Sequence, residues 1–234
     1  MKPRLRALKH QYLLCLAACL LLLVMGLGAA IAQDGKSSSA PRVVKFNFDQ
    51  DTVGQTPAGF TSYATGDGPD GRWLVQVMAD APSDKQVVVQ TDADATDNRF
   101  PVLIADKEDY ADVDVSVKGK AISGKGDQGI GLVFRFRDPQ SYYVVRANAL
   151  ENNVRLYKVV NGSRTQIGGK NTKVTPKEWH LLKVVYKGNT IQCFYENAKV
   201  FEVNDTTFDS GSVGLWTKSD SYTLFDDLVI QEIK

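Results

Sequence analysis

The 234-residue chain predicts an all-β protein, a sandwich or barrel of short antiparallel strands. Three observations predict it. Apolar and polar residues alternate with a period of two in DVDVSVKGKAIS (112–123) and VRLYKVV (154–160), as half-buried strands require. Tight-turn chemistry recurs at short intervals: GDGPDG at 66–71, SGKGDQG at 123–129, RDPQS at 137–141, NG at 161–162, TPKE at 175–178, KGN at 187–189, EN at 196–197 and DSGS at 209–212. Asn, Asp, Gly and Pro supply the positive or fixed φ that such turns need. Finally, the helical signal is almost nil, so the crossover helices of a parallel α/β sheet are missing.

The elements follow in chain order. The N-terminus reads as a secretory signal over residues 1–32: a basic head (Lys2, Arg4, Arg6, Lys9), an apolar run and a closing Ala30-Ile31-Ala32. The rival readings are an uncleaved membrane anchor, since the run is near bilayer length, and a lipobox at Leu16-Ala17-Ala18-Cys19, which an apolar rather than a polar tether follows. Residues 33–42 are a polar linker, and 43–234 form the β domain. Strands are expected at 43–48, 72–78, 86–90, 100–105, 112–122, 130–137, 142–149 and 154–160, then at 165–167, 179–186, 190–195, 199–203, 212–217 and 223–232. A domain of about 200 residues has enough interior for a real core.

Composition narrows the function. The chain has 28 Lys+Arg, four of them in the head, against 27 Asp+Glu, so the mature charge is −3 and offers no field for nucleic acid. Of three cysteines, Cys15 and Cys19 lie in the signal, and Cys193 sits on an apolar strand face as a small buried side chain. His180, the single histidine outside the head, lies in an apolar-rich strand and reads as a structural histidine. No residue cluster has transition-metal spacing. Asn161-Gly162-Ser163 and Asn204-Asp205-Thr206 match the glycosylation acceptor but read as chance in a bacterial exported chain.

Four stretches carry a family resemblance: FNFDQDTVGQTPAGF, SYYVVRANALENNVRLYKV, EWHLLKV and GSVGLWTKSDSYTLFDDLVI. Over residues 44–232 the chain resembles concanavalin A-like lectin/glucanase jelly rolls. Among them it resembles the 3-keto-disaccharide hydrolase family, formerly a domain of unknown function and often described as family-sixteen glycoside hydrolase-like. The resemblance implies a two-sheet antiparallel jelly-roll sandwich whose concave face can hold a sugar. The N-terminal signal, for its part, predicts a secreted, periplasmic or cell-surface location. The same fold hosts lectins, hydrolases and adhesion modules, so function must come from the site.

Strand phasing proposes that site. Leu132, Phe134 and Phe136 should point inward, sending Val133, Arg135 and Arg137 out. Tyr143, Val145 and Ala147 fit the core, leaving Tyr142, Val144, Arg146 and Asn148 outside. Val154 and Leu156 point in and Arg155 and Tyr157 out. Val213, Leu215 and Thr217 point in and Trp216 and Lys218 out. Arg135, Arg146, Asn148, Arg155, Tyr157, Trp216 and Lys218 therefore share one sheet surface if their strands are neighbours. There an exposed indole would pack on a sugar's C–H face while guanidinium and amide groups bond hydroxyls. The cations would favour an acidic sugar or another carboxylate.

The competing readings are an enzyme on sugars and a non-catalytic adhesion or protein-interaction domain. The Glu-x-Asp-x-x-Glu pattern of family-sixteen hydrolases is absent. Glu151, in the loop ALENN beside the proposed face, is the lone candidate general acid or base. Cleavage of a 3-keto sugar would further need a cationic clamp, for which Arg146 or Arg135 is placed. No cofactor is required. The resemblance implies a structural calcium near the terminal strands, with Asp49 and Asp226 as ligands. The expected state is a monomer that takes a saccharide or another polar small ligand.

Overall fold

The structure, a computed structural model, describes residues 41–106 and 108–233. The expected signal segment and all but the end of the expected linker lie outside the described residues. Fifteen strands are present among the described residues: β1 (Val43–Phe46), β2 (Phe60–Gly66), β3 (Trp73–Val77), β4 (Gln86–Gln90), β5 (Arg99–Ala105), β6 (Val113–Ser123), β7 (Gly129–Asp138) and β8 (Ser141–Asn148), then β9 (Asn153–Val160), β10 (Ser163–Asn171), β11 (His180–Lys187), β12 (Thr190–Tyr195), β13 (Ala198–Asn204), β14 (Ser212–Trp216) and β15 (Tyr222–Glu232).

They form two antiparallel sheets. One runs β13-β12-β11-β6-β15-β4-β3, with β1 paired to the C-terminal half of β15. The other runs β10-β9-β8-β7-β14-β5-β2. The period-two pattern explains how they stack. Val113, Val115 and Val117 of β6 and Leu182, Val184 and Tyr186 of β11 turn one way. Leu132 and Phe134 of β7, Tyr143, Val145 and Ala147 of β8, Leu156 of β9 and Leu215 of β14 turn to meet them, and all belong to one buried cluster. Each such side chain contributes roughly 1.5–3 kcal/mol by leaving water. Cys193 is part of this core, and burial pushes its thiol pKa up, as a packing residue requires.

Three elements depart from the sequence reading. Strand β2 fell in a segment expected to be loop. FTSYATG carries hydroxyls where an apolar alternation would announce a strand, and it is the last strand of its sheet, paired on one side only. Strand β10 begins at Ser163, directly after the NG turn at 161–162, rather than at 165, and runs to Asn171.

The consequential departure is in β7. Its pairing with β8 jumps from Phe134↔Tyr143 to Asp138↔Ser141, and Arg135 adopts φ 47°. The extra residue breaks the alternation at that point. Arg135 therefore turns into the sandwich, and Phe136, expected inside, turns out. The Arg135 guanidinium lies 3.4 Å from the Tyr186 ring centroid, and its Nε donates to the Ala111 carbonyl at 3.0 Å. It also donates to the Phe208 carbonyl and lies 3.5 Å from the Asp112 carboxylate. This arginine staples one end of the core and is not on the outer face.

Candidate functional site

The outer face of the seven-stranded sheet is built by register. Arg155 pairs with Arg146, Arg146 with Gly131, Gly131 with Trp216 and Trp216 with Val102, which places these residues in one row across five strands. In the adjoining row Tyr157 opposes Val144 and Val144 opposes Val133. Gly131 is required here. A Cβ on it would sit 2.6 Å from Trp216 Cε3, so the indole lies over bare backbone. Phe100 stacks on the same indole at 5.6 Å and 16°.

The face is strongly curled. In a flat sheet, β10 and β5 would be about 24 Å apart, five spacings of about 4.8 Å. Yet Arg164 of β10 stands 4.4 Å from the Phe100 ring centroid on β5. Likewise the Tyr142 hydroxyl on β8 lies 2.8 Å from Thr65 Oγ1 on β2. Only a sheet curled toward this face brings such partners together. The hollow holds its own apolar cluster of Phe100, Val102, Ile104, Val133, Phe136, Tyr142, Val144, Val159 and Trp216, with Tyr63 and Tyr157 packed against it.

Beside that cluster sits a fixed polar network. Arg146 Nη1 donates to Asn153 Oδ1 at 2.7 Å, and Nη2 donates to Glu151 Oε2 at 2.8 Å and to the Tyr157 hydroxyl at 3.2 Å. Asn153 Nδ2 donates to the same Glu151 oxygen at 2.9 Å. Asn148 Oδ1 accepts from the Leu150 and Glu151 amides and so shapes the loop that carries Glu151. Asn148 Nδ2 donates to Asp127 at 2.9 Å, and Ser221 Oγ donates to the other Asp127 oxygen at 3.2 Å. Lys218 pairs with Asp97 at 2.6 Å.

Electrostatics separates the two carboxyls. Burial pushes the Asp127 carboxyl up to about 6, against the pull of Arg146 and Lys218. Burial also raises Glu151, but the hydrogen bonds from Asn153 and Arg146 outweigh it and hold the group below the ordinary range. Glu151 is thus an ionised acceptor with its outer portion in solvent.

Six of the seven residues read from sequence as ligand-binding share this face: Arg146, Asn148, Arg155, Tyr157, Trp216 and Lys218. Arg135 does not, because of the bulge. Trp216 differs from expectation in exposure. It is wholly buried, so it is floor beneath the face, and no sugar can stack on it. The half-buried Tyr157 is the ring within reach of a ligand. Sequence reading missed Asp127, Asn153, Phe100 and Arg164. Asp127 lies in a segment read as a turn, Arg164 falls between the NG turn at 161–162 and the strand expected from 165, and the alternation Asn153-Arg155-Tyr157 was the signal available for Asn153.

The other expected positions resolve as follows. Asp49 Oδ1 accepts the Lys85 and Gln86 amides, and Asp226 accepts from the Ser83 amide and hydroxyl, so both carboxylates brace the loop before β4. Among the described residues no group of three or more His, Cys, Asp or Glu is placed to hold a metal ion. His180 has both ring nitrogens engaged, Nδ1 with Glu196 at 2.7 Å and Nε2 with the Thr175 carbonyl at 2.8 Å, as a structural histidine should.

Solved structures share this architecture. Carbohydrate-binding module CBM66 from Bacillus subtilis superposes with a TM-score of 0.60 at 17% identity, covering 78% of this chain and 99% of that one. Domain 4 of AbnA, an extracellular arabinanase of Geobacillus stearothermophilus solved with arabinotriose, gives 0.55 at 14%, covering 83% and 94%. Bacillus licheniformis β-glucanase gives 0.54 at 9%, covering 84% and 100%. No family model matches the chain, and no curated protein matches its sequence. The chain therefore has the all-β, two-sheet sandwich fold of concanavalin A-like lectins and glucanases. At these identities the likeness defines the fold alone.

Proposed function

We propose that this is an exported carbohydrate-binding domain that takes a saccharide on the curled face of its seven-stranded sheet. One observation carries the reading. Arg146, Glu151, Asn153 and Tyr157 form a fixed network on that face, beside a partly exposed aromatic ring. Sugars ask for this combination, since a ring's C–H face packs on an aromatic while its hydroxyls meet preset donors and acceptors. Arg146 Nε is buried and has no partner among the described residues. One donor is thus left for a ligand or water to satisfy. That several fold neighbours are carbohydrate-binding modules or glycoside hydrolases agrees with this reading.

The test is a glycan array with the full chain, followed by Tyr157→Ala and Glu151→Gln variants. Both positions are at least partly exposed, so melting temperatures should hold while binding to the array hits falls by about tenfold or more, the loss of one good contact. Absence of binding to every glycan contradicts the proposal.

A second reading, cleavage of a saccharide such as a 3-keto-disaccharide, draws on the opposed shifts of Asp127 and Glu151 beside one arginine. Acid/base hydrolysis uses carboxyls pushed apart in this way. Here Asp127 would be the acid and Glu151 the ionised partner. Turnover of chromogenic glycosides or 3-keto-disaccharides that Asp127→Asn and Glu151→Gln each abolish would establish it.

A further inference from the structure

We infer that the saccharide taken by this face is an acidic one, bearing a uronate-type carboxylate, and that Arg164 is the residue that reads its charge. The inference rests on the carbohydrate-binding reading above and names the ligand class for that site.

The cations of the face divide into spent and unspent. Arg146 is matched by Glu151 at 2.8 Å, and Lys218 by Asp97 at 2.6 Å. Arg155 Nη2 donates to the Asn171 amide oxygen at 2.7 Å. The Arg164 side chain makes no hydrogen bond and no close ion pair with any other described residue; Asp97, already paired with Lys218, acts on it only at longer range. The Arg164 guanidinium instead lies over two rings, 4.4 Å from the Phe100 centroid and 4.6 Å from that of Tyr157. Contacts of this kind use the flat face of the group and hold it in place without consuming its N–H donors.

One of those donors, Nη1, is buried with no acceptor among the described residues. A buried guanidinium donor without an acceptor is costly, and an anion is the partner that repays it best. A planar carboxylate matches the guanidinium edge with two parallel hydrogen bonds, whereas a neutral hydroxyl offers a weaker, single one. Arg164 remains partly accessible to solvent, so the position can meet a ligand. Tyr157, against which it packs, is the ring assigned to the sugar.

The experiment is calorimetric titration of the full chain with paired probes. These are oligouronates (galacturonate, glucuronate, mannuronate and guluronate trimers) and the carboxyl-reduced neutral counterpart of each. At least one uronate should bind about tenfold or more tighter than its neutral twin, with the advantage shrinking as salt is raised. Arg164→Gln should bring the pair to equal affinity, chiefly by weakening the uronate. Arg164→Lys, which keeps charge but not the planar edge, should retain part of the preference. Equal affinity of wild type for a uronate and its neutral twin overturns the inference and leaves the saccharide site standing. So does an acid preference that Arg164→Gln does not diminish. Failure of every acidic and neutral probe overturns both.

Discussion

Arg135 Nε donates to the Ala111 carbonyl while its guanidinium lies on Tyr186, so truncating the side chain strips partners from buried groups at the end of the core. Arg135→Ala should lower stability by about 3 kcal/mol in urea unfolding, because orphaned buried acceptors cost about 1–3 kcal/mol each. It should leave glycan binding unchanged, as its place inside the sandwich demands. Asp127 makes a pH prediction. Its folded pKa, about 6, lies above the ordinary value of 3.8, so the native state binds the extra proton between those limits. Stability then falls as pH rises from about 4 to about 6. In Asp127→Asn that slope should flatten by an amount on the order of 2 kcal/mol, read from unfolding free energies at pH 4 and pH 7. A parallel slope in the variant would show that Asp127 is not the titrating group. At this scale Arg146, Asn148, Tyr157 and Lys218 were legible, because long polar side chains at alternate positions of apolar strands must leave the core. The Trp216 indole was assigned the right face but the wrong exposure. Its burial comes from Phe100 and from contacts across the curl, which no local pattern encodes.

Strand β7 shows where periodicity stops being a guide. GIGLVFRFR alternates without fault, yet the register with β8 breaks after Phe134 and Arg135 takes a positive φ. A bulge is set by the partner strand and by neighbours such as Gly211, where a Cβ would lie 2.4 Å from the Arg135 carbonyl carbon. Sequence periodicity on β7 alone contains neither constraint. Further along the same strand, Gly131 gives the indole its space. Gly131→Ala should cost about 1–3 kcal/mol, since the added Cβ meets Trp216 backbone oxygen at 2.7 Å as well as the ring. A thermal melt checks this, and an unchanged melting temperature would show that the indole is free to move away. Strand β10 was seen too short because SRTQIGGKN (163–171) has a single apolar side chain and no alternation, which hid Arg164, the cation on which the acidic-ligand inference rests.

For the whole molecule, the two-sheet sandwich was legible from alternation and turn spacing, and all fourteen expected strands overlap an observed strand, with the 165–167 strand lengthened. Curvature was not legible. The seven-stranded sheet closes on itself until β10 touches β5 and β8 touches β2, and this turns an exposed platform into a filled hollow with a polar rim. A ligand is thus expected at the rim marked by Glu151, Tyr157, Arg164 and Lys218. The measurement that tests this most directly is an experimental structure of the chain with an array-selected oligosaccharide bound. The account predicts density for the sugar against Tyr157, within hydrogen-bond reach of Glu151 or Arg164. Sugar bound instead on the eight-stranded sheet, beside Trp179 and His180, would contradict it.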